Sequence, residues 1–119
     1  MAALPDAAYH VLTGPPQVRF AEVRGDDGAL LAMARGAVVR GWLHLGLVEV
    51  VPEGRRRGLA RRVSLALMEW GLALGATRAV LQVEEHNTAA VELYRGLGFA
   101  THHRYVTFRC MQGSPQGGF

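Results

Sequence analysis

The sequence predicts a mixed α/β domain in which helices cover a central sheet. Two observations carry this expectation. Apolar residues alternate or run on in 18–24, 29–35, 37–51 and 79–83, as strands require, and they recur at helical spacing in 58–74 and 87–97. The resulting order is strands, helix, strand, helix, strands.

Each element has a local reason. Residues 1–17 carry Pro5, Gly14, Pro15 and Pro16 without sustained periodicity and are expected to form an irregular lead-in. Val18 to Arg24 reads as a strand, ended by the turn Gly25-Asp26-Asp27-Gly28. Ala29 to Arg35 is expected to return, with Gly36 as a turn or bulge, and Ala37 to Val51 to supply one or two further strands. In Gly58 to Leu74 the residues Leu59, Val63, Ala66, Leu67, Trp70 and Leu74 fall on one helical face, and Gly75 stops the helix. Ala79 to Val83 is a short buried strand. Asn87 can cap a second helix, whose apolar stripe is Ala90, Leu93, Tyr94 and Leu97. Phe99 to Cys110 reads as a hairpin or bent strand, and 111–119 as a disordered tail.

At 119 residues, half of them apolar, the chain suits one globular domain. Its longest apolar runs are too short to cross a bilayer, and Met1 to Asp6 shows no secretory pattern. The single Cys110 allows no internal disulfide and fits a cytoplasmic setting. All 13 basic residues are arginine, and five of them lie within 55–62, so the net charge of +3 is local. A local cluster suits a small polyanion. Nucleic acid has little support, because no aromatic residues interleave the cluster.

That cluster sits where an anion would be held. A strand ends at Pro52, and Arg55-Arg56-Arg57 leads into Gly58, which opens the long helix. A helix start presents unpaired N–H groups and partial positive charge. Acidic residues normally suit that turn, so arginines there are unfavourable unless an anion binds. Neither Gly-x-x-x-x-Gly-Lys-Ser/Thr nor Gly-x-Gly-x-x-Gly is present.

Two blocks carry a family resemblance. Arg55-Arg56-Arg57-Gly58-Leu59-Ala60 resembles the Arg/Gln-x-x-Gly-x-Gly/Ala signature of the GCN5-related N-acetyltransferases, the GNAT superfamily. The block from Asn87 to Phe99 resembles that family's Asn-x-x-Ala-x-x-Leu-Tyr-x-x-x-Gly-Phe. The blocks stand in the family's order, and the likeness runs from about Phe20 to Arg109. It implies a mixed, mostly antiparallel central sheet flanked by helices, with a GNAT-like acetyl-CoA-binding domain over 18–110. GNAT domains usually begin with a strand and two helices. Two helices of roughly 11 residues do not fit in 1–17, so the N-terminal helices are expected to be short or missing.

The resemblance also assigns roles. Acetyl-CoA is the implied co-substrate and a primary amine, of unnamed identity, the acceptor. Backbone N–H groups of Arg57, Gly58, Leu59 and Ala60 would hold the coenzyme's pyrophosphate, with Arg55 and Arg56 adding charge-assisted bonds. Val48 and Val50 would lie beside the pantetheine, and the Val50 N–H would polarise the thioester carbonyl. Asn87 caps its helix and would also touch the pantetheine arm. Tyr94 is either part of the apolar stripe or the acid that protonates the departing thiolate. For the general base, His44 is a candidate and Glu49 its rival; strict alternation would put them on opposite faces of the strand. No metal is expected, since His102-His103 has no partners at ligand spacing. The alternative to an enzyme is a non-catalytic acyl-CoA-binding module, such as the C-terminal part of a larger acetyltransferase. The strand Val18 to Arg24 is expected to form an open edge, which favours a homodimer.

Overall fold

The structure, a computed structural model, describes residues 10–14, 17–55, 57–83, 87–102 and 105–109. Arg56, His86, Cys110 and the expected tail at 111–119 lie outside them. The strands are β1 (His10–Thr13), β2 (Val18–Arg24), β3 (Leu30–Val39), β4 (Trp42–Val50), β5 (Arg78–Gln82), β6 (Ala100–His102) and β7 (Tyr105–Arg109). The helices are α1 (Leu59–Ala73) and α2 (Thr88–Gly96), and a single 3-10 turn spans Pro52–Gly54. One sheet runs in the order β1-β2-β3-β4-β5-β7-β6. Every neighbouring pair is antiparallel except β4 and β5, which α1 connects in parallel. The mixed, mostly antiparallel sheet is the one the sequence predicts.

Three local expectations are corrected. The lead-in is not wholly irregular, because β1 lies within it and pairs with β2 in register His10↔Val23 to Thr13↔Phe20. The strand Val18–Arg24 is therefore not a sheet edge, and the ground for expecting a dimer there is gone. Second, Gly36 is neither turn nor bulge. The chain passes straight through it and turns at Arg40 and Gly41, with φ of 51° and 82°. Positive φ at both central residues is the two-residue hairpin turn that matches strand twist. Third, the buried face of α1 is Leu59, Val63, Ser64, Leu67, Met68 and Gly71, while Trp70 is half-buried and Leu74 exposed.

Close approach explains the third correction. A Cβ at Gly36 would lie 3.1 Å from the Leu67 side chain, and one at Gly71 would lie 3.3 Å from Leu43. The two glycines let α1 settle onto β3 and β4 by that face. Ala21, Val23, Ala34 and Val38 complete the core beneath it. Tyr94, Leu97 and Phe99 join the same cluster from α2 and the chain that follows it.

Candidate active site

Strand β4 is not regular. On β3, Met33 and Arg35 are two apart, but their partners Glu49 and Gly46 are three apart. The extra residue is a β-bulge, and Leu47 within it has φ of 52°. The bulge resets the alternation, so His44 opposite Ala37 and Glu49 opposite Met33 lie on the same face of the sheet. The expectation of opposite faces is thereby overturned. Both side chains are exposed.

The bulge also opens the sheet. Pairing between β4 and β5 covers Trp42↔Arg78, Leu43↔Ala79 and His44↔Val80, and goes no further. Beyond His44 the two strands part, and a cleft of about 790 Å³ lies between them. That volume is within the usual range for small-molecule sites, about 300–1,000 Å³. Its floor is β4 from Leu45 to Val50 and β5 with its continuation from Leu81 to Val83. Arg55 and Ala60 close one side and α2 the other, through Asn87, Ala90, Leu93 and Tyr94. Of the expected site residues, the cleft gathers Val48, Val50, Arg55, Ala60, Asn87 and Tyr94. His44 is not among its lining residues, whereas Glu49 is.

The two helix starts differ in a way that matters for anions. Asn87 caps α2, its Oδ1 accepting from the Ala90 N–H at 3.2 Å. Among the described residues no side chain caps α1, and no acidic residue lies in its first turn. Gly58 holds the cap position with φ of 71° and ψ of 23°, left-handed geometry that disfavours a side chain. Arg55, Arg57 and Arg61 are exposed around it. Leu59 is buried in the core, so only its backbone is available to a ligand.

Tyr94 lines the cleft yet is only 2% exposed. Its ring meets Phe99 edge-on, centroids 5.6 Å apart. Its hydroxyl shares a 3.2 Å hydrogen bond with Ser64 Oγ on α1. Burial pushes the Tyr94 pKa up from its ordinary 10.0, and the Ser64 bond pulls it partly back. The hydroxyl therefore keeps its proton at neutral pH. Two features escaped the sequence reading: the bulge at Leu47, of which Gly46 is the faint signal, and Ser64, a lone hydroxyl on the apolar face of α1.

A mostly antiparallel sheet whose lone parallel pair opens beside such a helix start defines the GNAT class of acyltransferase folds. The sequence model of the family described as "Probable histone acetyltransferase Rv0428c C-terminal" matches residues 4–108, and the chain belongs to that family within the GNAT superfamily. It is 37% identical over 82 residues to the uncharacterized N-acetyltransferase YobR of Bacillus subtilis, covering 67% of this chain and 33% of that protein. It is 33% identical over 98 residues to N-alpha-acetyltransferase 30 of Schizosaccharomyces pombe, covering 78% of this chain and 64% of that one. Among solved structures, the PaiA N-acetyltransferase of Thermoplasma acidophilum, in complex with coenzyme A, superposes with a TM-score of 0.70 at 15% identity. That match covers 78% of this chain and 61% of the other, and shows the fold. The chain thus spans between a third and two thirds of the length of these curated relatives.

Proposed function

We propose that this chain moves the acetyl group of acetyl-CoA to a primary amine by direct attack, with no acylated enzyme intermediate. The observation that carries the reading is the opened β4–β5 pair, whose cleft is lined by Arg55 and Ala60 at the start of α1 and by Tyr94 on α2. Backbone N–H groups of the first turn of α1, flanked by Arg55 and Arg57, take the pyrophosphate. Strand backbone freed by the bulge pairs with the pantetheine amides, as an added strand would. The Val50 N–H stabilises the oxyanion. Arg56 would add charge at the same loop.

Tyr94 holds a proton at the cleft wall and gives it to the departing thiolate. Glu49 takes the base role in place of His44, because it lines the cleft and His44 does not. Asn87 keeps its cap and touches the pantetheine arm. We place the reaction in the cytoplasm, on the single-cysteine ground; no helix among the described residues is long and apolar enough to cross a membrane.

The test is release of free thiol from acetyl-CoA across a panel of primary amines. Peptide N-terminal amines belong in it, since one relative is named for N-alpha-acetylation. Lysine amines belong in it because the family is described by histone acetylation. A rise above the amine-free rate supports the reading. Tight coenzyme binding without any such rise would reassign the chain as a non-catalytic acyl-CoA module.

A further inference from the structure

Among the described residues, Ser64 is the buried polar side chain in a core otherwise built from hydrophobic residues, and it is 0% exposed. Its neighbours on the inward face of α1 are Val63, Leu67 and Met68. A methyl group would satisfy that environment as well as a hydroxyl, and a buried hydroxyl requires a partner. The partner is the Tyr94 hydroxyl, 3.2 Å away on the other helix. The bond therefore ties the cleft-lining tyrosine to a fully buried side chain of α1 that does not itself line the cleft.

We propose that Ser64 is a positioning residue for acetyl transfer, its O–H donating to Tyr94 Oη so that the tyrosine's own proton is left to face the cleft. The proposal rests on the acid role given to Tyr94 above. In the step itself, the amine nitrogen bonds to the acetyl carbon and the carbon–sulfur bond breaks. The electron pair leaves on sulfur, which takes the Tyr94 proton and becomes the free thiol. The acceptor's ammonium gives one proton to Glu49 or water before attack, the nitrogen releases a second to solvent as the amide forms, and solvent returns a proton to the tyrosinate. While the tyrosinate exists, the Ser64 O–H is its donor. Were the bond polarised the other way, with Tyr94 donating to Ser64, no proton would face the sulfur. A hydrogen bond to a charged group is stronger than one to a neutral group, so the Ser64 bond favours the form present after proton transfer. This agrees with the direction in which Ser64 moves the tyrosine's ionisation.

The experiment compares Ser64→Ala, Ser64→Thr, Tyr94→Phe and the Ser64→Ala/Tyr94→Phe double variant. Turnover of acetyl-CoA is followed against pH, and tyrosinate absorbance is followed without substrate. The Tyr94 signal is taken as the difference from the matching Phe variant. Ser64→Ala is expected to slow turnover about ten-fold, to move the alkaline limb of the rate profile upward and to raise the tyrosinate midpoint. Ser64→Thr, which keeps the hydroxyl, should restore the midpoint. In the Tyr94→Phe background, Ser64→Ala should cost no further rate.

If Ser64→Ala slows both backgrounds equally, or leaves the midpoint where it was, Ser64 serves only packing and the proposal falls. Should Ser64→Ala fold poorly, Ser64→Cys, with its weaker donor, gives the same midpoint comparison. A Tyr94→Phe variant at the wild-type rate overturns the acid role, and the Ser64 proposal with it. A slow Tyr94→Phe beside a Ser64→Ala that is normal in rate and midpoint overturns the Ser64 proposal alone.

Discussion

His44 and Glu49 share one face of β4, although their spacing in the chain would separate them on a regular strand. Ala37 faces the first across β3 and Met33 faces the second. Leu47, 60% exposed and with φ of 52°, absorbs the extra residue between them. The same irregularity ends the pairing of β4 with β5 and makes the cleft. One bulge thus sets on which face the two candidate bases lie and frees the backbone that would bind the coenzyme.

The base assignment follows from that geometry. Glu49→Gln should lower kcat/KM by about 10², the usual scale for losing a general base. His44→Gln should stay within about three-fold of wild type, since His44 does not line the cleft. Steady-state kinetics of both variants decides it. The reverse ranking would return the base role to His44.

Tyr94→Phe should slow turnover by about 10² while acetyl-CoA affinity changes only a few-fold. The same residue governs alkaline stability. The folded state disfavours tyrosinate, so above the ordinary 10.0 the unfolded chain holds fewer protons than the folded one. Stability is therefore intact below pH 10 and falls as pH rises toward the raised folded value. Melting curves above pH 10 should show a shallower decline for Tyr94→Phe. An identical decline in both proteins would contradict the buried-hydroxyl assignment.

At the helix start, Gly58→Asp should abolish coenzyme A binding. The variant puts a carboxylate where the pyrophosphate is expected and a side chain at φ of 71°. Calorimetric titration with unchanged affinity would remove the phosphate role from this loop.

The close seating of α1 on the sheet is testable by stability alone. Gly36→Val places branched carbon against Leu67, where even a Cβ would lie at 3.1 Å. Overpacking of this kind costs about 1–3 kcal/mol. Urea titration should show a lower midpoint at an unchanged slope. No shift would mean that the helix rides higher on β3.

The sequence made the helices and the anion loop legible because their signals are local. Helical spacing marked both helices, and the arginines before Gly58 violate the usual charge preference of a helix start. Asn87 announced its cap by residue type alone. The bulge was not legible, because Leu47 and Val48 are ordinary strand residues and only the register with β3 reveals the extra one. The hairpin turn at Arg40 and Gly41 lacks the Asn or Asp that usually marks such a turn. β1 is short and stands next to prolines, so its four residues carry no periodicity of their own and only the pairing with β2 reveals them. Ser64 gains meaning only once α2 brings Tyr94 beside it. Helix faces shifted for a similar reason: Gly71 has no apolar signal, yet its lack of a side chain admits Leu43.

Amide hydrogen exchange with and without acetyl-CoA tests the central claim most directly. The expected result is added protection at the N–H groups of Val48 and Val50 in the opened strand, together with those of Leu59 and Ala60 at the start of α1. Protection confined to other segments, or none at saturating acetyl-CoA, would contradict binding in the gap between β4 and β5.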